Sequence, residues 1–209
     1  MKHYRKLIEN NAEWARDMVA QDPDFFTKRE QVQTPHHLII GCSDSRVPLE
    51  LMTGAMPGEM FVHRNIGNQV WETDMNVLSV VQFAVDVLDV EHVIICGHSN
   101  CGALKSAFAD SAHGVLDHWL SDIRSTMRWN QHELDGCTNG ETRLHRLSQL
   151  NVLQQVRILS RTPIILDAWK RGRRPMLHGW VYDIGSGLIE QVVQAVDSTE
   201  KAMELLPKT

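Results

Sequence analysis

No window of this 209-residue chain approaches the roughly eighteen uninterrupted apolar residues that a membrane-spanning helix needs. The opening segment MKHYRKLIENNAEWARDM is charged throughout and has no apolar core of a secretory signal. Together these absences predict no membrane association and a cytoplasmic location. Positive charge is not in excess either. Twenty-one Lys and Arg against 26 Asp and Glu leave a net charge of −5, which argues against an electrostatic dependence on nucleic acid or anionic lipid. Cysteine is scarce, with four residues at 42, 96, 101 and 137, too few and too unevenly spaced for a disulfide framework. No fixed-period repeat, low-complexity tract or Pro/Ser-rich linker is visible. A single domain over residues 1–209 is therefore predicted.

What is present is apolar content sufficient for a core: 43% of the chain is hydrophobic, which excludes intrinsic disorder. Apolar residues recur at helical intervals from Tyr4 to Ala20, and Asp22 before Pro23 reads as the cap of a second short helix. The runs His36–Gly41, Met60–His63 and His92–Gly97 are short, apolar and without helical period, as buried strands are. Between the last two, Met75–Leu88 reads as a buried helix capped by Thr73 or Asp74. Helices are further expected over Ala103–Asp110, Leu144–Leu159 and after Thr162-Pro163, with a looser polar stretch leading into Leu116–Trp129 and a surface loop at Gln131–Glu141. Pro175–Tyr182 and Leu188–Val193, joined through Gly185-Ser186-Gly187, predict an antiparallel hairpin. The fold class is α/β: a central, mostly parallel sheet flanked by helices, with an antiparallel edge. In such a sheet, function lies just beyond the carboxyl ends of the strands.

Two strand ends carry the residue types of a metal site. Gly97-His98-Ser99-Asn100-Cys101-Gly102 follows one strand and opens a helix, and a His and a Cys three apart can face one ion. Gly41-Cys42-Ser43-Asp44-Ser45-Arg46 follows another. If those strands are neighbours, Cys42 joins His98 and Cys101 in a Cys2His set, which suits tetrahedral zinc and leaves a fourth position for water. Each half alone is weak, since a Cys at a strand end is usually packing and eleven histidines allow chance proximity. Cys96 reads as core, and Cys137 as a free thiol in the turn-rich segment. Asp44 and Arg46, two apart on a turn, can pair so that the guanidinium orients the carboxylate. The carboxylate then either accepts a hydrogen bond from zinc-bound hydroxide or turns onto zinc as the fourth ligand. The bland alternative is an ordinary surface ion pair.

Other patterns fail on their letters. GHSNC lacks the glycine that a G-x-S-x-G nucleophile elbow needs at position 101. Gly136 stands where His132-Glu133 would need a second histidine for H-E-x-x-H, and Gly185-Ser186-Gly187 lacks the third glycine of a dinucleotide fingerprint. The basic run Lys170-Arg171-Gly172-Arg173-Arg174 reads as a solvated helix end that complements the helix dipole.

The segments CSDSRVP (42–48), PGEMFVHRN (57–65) and GHSNCG (97–102) together resemble the β-class carbonic anhydrases, whose zinc motifs are C-x-D-x-R and H-x-x-C. The likeness runs nearly end to end and looks closest to the bacterial branch. It implies one zinc per subunit on Cys42, His98 and Cys101, and an Asp44–Arg46 dyad that serves catalysis or, with Asp44 as fourth ligand, closes the site. It further implies reversible hydration of carbon dioxide to bicarbonate. An N-terminal helical arm, residues 1–34, would embrace a neighbouring subunit in a homodimer or homotetramer. Family positions for the substrate pocket correspond to Gln33, Val47, Phe61, Ile66 and Phe83, with Gln33 reaching across the dimer interface. Arg64 and Tyr182 match a bicarbonate site whose Trp is replaced here by Ile39. Phe83 replaces a frequent Tyr, Gly67 a common Ala, and Asn100 a common Gly. Relatives of the family that hydrolyse carbonyl sulfide or carbon disulfide share the zinc motif and form the alternative reading. A non-catalytic zinc- or bicarbonate-binding protein is the lesser one.

Overall fold

A computed structural model describes residues 2–109, 111, 113–172 and 174–205. The chain forms two compact units, Met1–Thr34 and Pro35–Thr209. Among the described residues no helix is long and apolar enough to cross a membrane.

The first unit holds α1 (Lys2–Gln21) and α2 (Thr27–Glu30). None of α1 is buried, and Tyr4, Leu7, Ile8, Trp14 and Val19 are exposed along it. Trp14, Phe25 and Phe26 pack edge to face, with centroids 5.1–6.3 Å apart. Asp22 does not cap a helix, contrary to the sequence reading. Its carboxylate accepts the Asp24 N–H at 3.1 Å and the Lys28 ammonium at 3.0 Å, making an Asx-turn that delays the helix to Thr27.

The second unit is built on a five-stranded sheet: β1 (His37–Cys42), β2 (Met60–Asn65), β3 (His92–His98), β4 (Met176–Tyr182) and β5 (Ile189–Val196). The order is β2-β1-β3-β4-β5, with β5 alone antiparallel. Helices α3 (Leu49–Thr53), α4 (Met75–Gln82), α5 (Gly102–Phe108), α6 (Val115–Trp119), α7 (Ser121–Trp129), α8 (Gln131–Asp135), α9 (Gly140–Ser160), α10 (Pro163–Lys170) and α11 (Thr199–Glu204) complete it. Because β1 and β3 are covered on both faces, they read as unbroken apolar runs. Leu38, Ile40, Val93 and Ile95 pack with Val77, Val81, Val152 and Val156 on one side. Ile39, Ile94 and Cys96 pack with Val47 and Leu49 on the other.

Helix starts follow their caps: Asp74 accepts the Asn76 N–H before α4, Asn139 forms a capping box before α9, and Thr162-Pro163 opens α10. The reading of Met75–Leu88 as one helix needs correction, since α4 continues as a π-helical turn over Phe83–Val87, with Leu88 N–H bonded to Phe83 O at 3.0 Å. The expected loop at Gln131–Glu141 contains α8, because Leu134 is fully buried and a helical turn is what brings it inward. Helices α3 and α11 were not expected; α3 is a single turn closed by Gly54 in the left-handed region. The basic run is paired: Lys170 with Asp167, Arg171 with Asp86 at 2.9 Å, and Arg174 with Glu91, while Arg173 lies outside the described residues.

The long α9 lies close on the sheet. A Cβ at Gly97 would come within 2.7 Å of Val152, and one at Gly179 within 2.6 Å. These two strand positions are open because the helix occupies them.

At the amino ends of the strands, four histidines gather. His178 Nδ1 accepts the Ala195 N–H at 3.2 Å, so its proton sits on Nε2 and is donated to His92 Nδ1 at 3.0 Å. Ala195, at φ 50°, marks the β-bulge where β5 slips against β4. His37 stacks on His92 at 5.3 Å, with His36 beside it and the Glu91–Arg174 pair flanking. Burial pushes His92 and His178 below the ordinary imidazole range, and His37 opposes added charge on both. With folded pKa values below the unfolded ones, the unfolded chain binds more protons, so stability falls as pH drops through about 6.5. The protein should therefore melt lower at pH 5.5 than at pH 7.5. His178→Leu should lose about 1–3 kcal/mol at pH 7.5, from the stranded Ala195 N–H, and show a shallower acid slope. Melting temperature against pH for both proteins checks this; an unchanged slope contradicts it.

Candidate metal centre

In the strand order β2-β1-β3-β4 the connections run outward in opposite directions from β1 and β3, so the switch point lies between them. Cys42 is the last residue of β1 and His98 the last of β3. From His98 the chain turns through Asn100, at φ 59°, into Cys101 directly before α5. That left-handed position admits Gly or Asn readily and few other residues. The result is a buried triad whose ligand atoms all lie within 4.8 Å of one another.

Two thiolates at about 2.3 Å from one tetrahedral ion stand about 3.8 Å apart, and Cys42 Sγ and Cys101 Sγ are 4.0 Å apart. His98 Nδ1 lies 2.9 Å from Ser99 O, and a carbonyl only accepts, so Nδ1 carries the proton and Nε2 a free lone pair. That Nε2 is buried and has no hydrogen-bond partner among the described residues. A buried acceptor aimed at two thiols, with nothing to satisfy it, fits a soft dication. The contact between the thiols sets them apart: the hydrogen bond with Cys101 holds Cys42 below the usual thiol range, while the same bond, burial and the Cys42 charge push Cys101 up. A bound dication deprotonates such thiols outright.

Beside the triad, Arg46 grips Asp44 on both oxygens, Nε to Oδ1 at 2.9 Å and one terminal nitrogen to Oδ2 at 2.7 Å. The Arg46 backbone N–H adds a third bond to Oδ1 at 3.0 Å. Arg46 thereby holds the Asp44 carboxyl well below its ordinary range. Asp44 Oδ2 is 3.8 Å from His98 Nε2. A cleft of about 330 Å³ opens over these groups, lined by Cys42, Ser43, Asp44, Ile66, Gly102, Ala103, Ser106 and Leu116.

The remaining pocket residues do not gather in one chain. Val47 packs with Ile39 and Cys96 on one face of the sheet, whereas Phe61 packs with the cluster on the other. Phe61 stacks on Phe83 at 5.8 Å, and Phe83 is 42% exposed. Only Ile66 of the expected set lines the cleft, because side chains alternate across the sheet and Phe61 points away from the face that Val47 covers. Gln33 belongs to the first unit and is exposed. Arg64 donates to three backbone carbonyls, Cys42, Asp44 and Val47, at 2.7–3.0 Å, clamping the metal loop. Tyr182, the last residue of β4, stands opposite His98 in the register, four positions beyond the level of fully buried Ile39. Burial pushes the Cys96 thiol up to about 12, and the half-buried Cys137 thiol donates to Glu133 O at 3.7 Å.

Sequence reasoning missed the contacts that arrive from elsewhere in the chain. Gly67 N–H points at Cys42 Sγ at 3.4 Å. Asn151 and Gln155 meet Gln69 in a buried amide network. One signal was available: two amides four apart on the apolar face of a helix.

Known proteins match on both sequence and structure. The family pattern described as carbonic anhydrase covers residues 37–189. A carbonic anhydrase of Emericella nidulans is 38% identical over 187 residues, 90% of this chain and 82% of its own. One of Pseudomonas aeruginosa is 37% identical over 194 residues, 89% and 86% of the two chains. A Coccomyxa β-carbonic anhydrase, solved in complex with acetazolamide, superposes with a TM-score of 0.92 at 36% identity, over 97% of this chain and 92% of its own. A tetrameric β-carbonic anhydrase of Sordaria macrospora gives 0.87 at 39% identity, over 91% and 97%.

The donor set predicts about one zinc per chain after purification in zinc-supplemented buffer. Cys42→Ala and Cys101→Ala should each lose most of it, and Cys96→Ala should retain it. Metal analysis by mass spectrometry of the four proteins reads this directly, and full zinc in either ligand variant contradicts the assignment.

Proposed function

This chain belongs to the β-class carbonic anhydrases, and we propose that it interconverts carbon dioxide and bicarbonate on a zinc ion held by Cys42, His98 and Cys101, with Asp44 and Arg46 as its catalytic residues. The observation that carries the reading is the buried His98 Nε2, without a hydrogen-bond partner among the described residues and facing two thiols 4.0 Å apart with a fixed carboxylate 3.8 Å away. When bound, the ion supplies a Lewis acid that makes water a nucleophile near neutral pH.

The chain's own groups do the rest. Turning the Asp44 carboxylate away would break two charge-assisted bonds to Arg46. Held there, its Oδ2 accepts a hydrogen bond from the attacking water and leaves an oxygen lone pair directed at the substrate carbon. The same pairing supports an open site over one in which Asp44 turns inward as a fourth ligand. Water adds to carbon dioxide to give bicarbonate, and the released proton passes to buffer through the cleft mouth. Carbon dioxide offers no charge to grip, so its seat is an apolar wall, which we assign to Ile66, Leu116 and Ala103. Val47 supports the loop from behind.

Phe61, Phe83 and Gln33 complete that wall only if a second copy presents them. The exposed Phe83 and the uncovered apolar side chains of α1 support a homodimer or homotetramer that does so.

Stopped-flow carbon dioxide hydration by zinc-loaded protein at pH 7 and 8.5, with a bicarbonate series, tests the reading. Wild type should turn over at both pH values. Asp44→Asn should keep its zinc and lose about 100-fold or more in kcat. Normal hydration by that variant removes the dyad from the mechanism. An inactive wild type that turns over carbonyl sulfide or carbon disulfide overturns the substrate instead.

A further inference from the structure

The Ile66–Gly67 peptide faces the metal centre edge on. Its N–H points at Cys42 Sγ at 3.4 Å, and its carbonyl, Ile66 O, accepts the indole N–H of Trp119 at 2.7 Å. A trans peptide is planar, and its C=O and N–H point in opposite directions. A donor that fixes the carbonyl therefore also aims the N–H. The next peptide is pinned too: Gly67 O accepts Asn151 Nδ2 at 3.1 Å and Gln69 Nε2 at 2.5 Å. Gly67 stands at φ 78°, and a Cβ there would sit 3.2 Å from Ile123 and 3.3 Å from Ala103.

We infer that Trp119 is a positioning residue for the Cys42 thiolate, acting through the Ile66–Gly67 peptide. Asn151 and Gln69 lock the other side of Gly67. The inference rests on Cys42 being a metal ligand. A backbone N–H donated to a ligating sulfur takes up part of its charge and fixes the direction of its remaining lone pairs. Trp119 itself is held by a face-to-face stack on Trp71, with centroids 5.5 Å apart and planes 7° from parallel. It also packs against the cluster that contains Cys42 and Cys101. Trp71 Nε1 has no partner among the described residues, so the two indoles share the stack, but only Trp119 reaches the peptide.

That difference supplies the experiment. Trp119→Phe keeps an aromatic ring in the stack and removes only the indole donor. Trp71→Phe perturbs the same stack and leaves the Ile66 carbonyl bonded. In full-length, zinc-loaded protein, competition with a chromogenic chelator should show zinc held about tenfold more weakly in Trp119→Phe. Trp71→Phe should remain within about twofold of wild type by the same argument. The cobalt-substituted protein should show a shifted thiolate-to-metal charge-transfer band in the first variant only. If Trp119→Phe fails to fold, Asn151→Leu, close in shape and without the donor to Gly67 O, must show the same weakening and band shift. Zinc affinity and charge-transfer band both unchanged in a folded variant overturn the inference. A wild type that binds no zinc would instead sink the metal assignment beneath it.

Discussion

The side-by-side parallel pairing of β1 and β3 is the constraint on which the site depends. Gly41 stands opposite Cys96 in the register, so Cys42 ends its strand level with Gly97, and His98 ends the adjacent strand one residue further on. Neither side chain needs a long reach, and no flexible loop intervenes between strand and ligand. The pairing is secured by burial on both faces, where each fully buried Leu, Ile or Val contributes roughly 1.5–3 kcal/mol. Loss of one such residue would loosen the sheet and the ligand spacing together.

Bringing two thiols and an imidazole together in a dry site has an electrostatic cost, since buried thiolates repel and desolvation disfavours them. The chain offsets it with donors brought from several elements. Gly67 N–H meets Cys42 Sγ, Ser99 O orients His98, and Arg64 ties down the carbonyls of the loop that carries Cys42 and Asp44. Helix α9 contributes twice, seating Val152 where Gly97 and Gly179 leave room and directing Asn151 at Gly67 O. Substituting either glycine would displace the helix and its amide network at once.

The two ends of the sheet do different work. At the carboxyl ends, polar and soft groups are left partly unsatisfied, as a metal site requires. At the amino ends, His92, His178 and the bulged Ala195 satisfy one another in a neutral chain of hydrogen bonds. Separating them lets the edge strand β5 be anchored without intruding on the chemistry.

Much of this was legible in the letters. Apolar runs without helical period marked β1, β2 and β3, and in β1 and β3 the reason is burial on both faces, which needs no polar alternation. Cys42, Asp44, Arg46, His98 and Cys101 stood out because metal and ion-pair chemistry depends on residue type at short spacing, which one sequence displays. The π-turn at Phe83, the helix within 131–141 and the Asx-turn at Asp22 were not legible, because each depends on which neighbours compete for the backbone. Phe61 and Val47 were expected in one pocket, yet the pleat sends them to opposite faces. Periodicity and side-chain chemistry were enough for the α/β class and for which residues could donate to a metal. Only the tertiary structure decided that His98 presents Nε2, that Arg64 serves the loop, and that Trp119 reaches the peptide beside Cys42, because those contacts join residues far apart in the chain whose distance is set by packing.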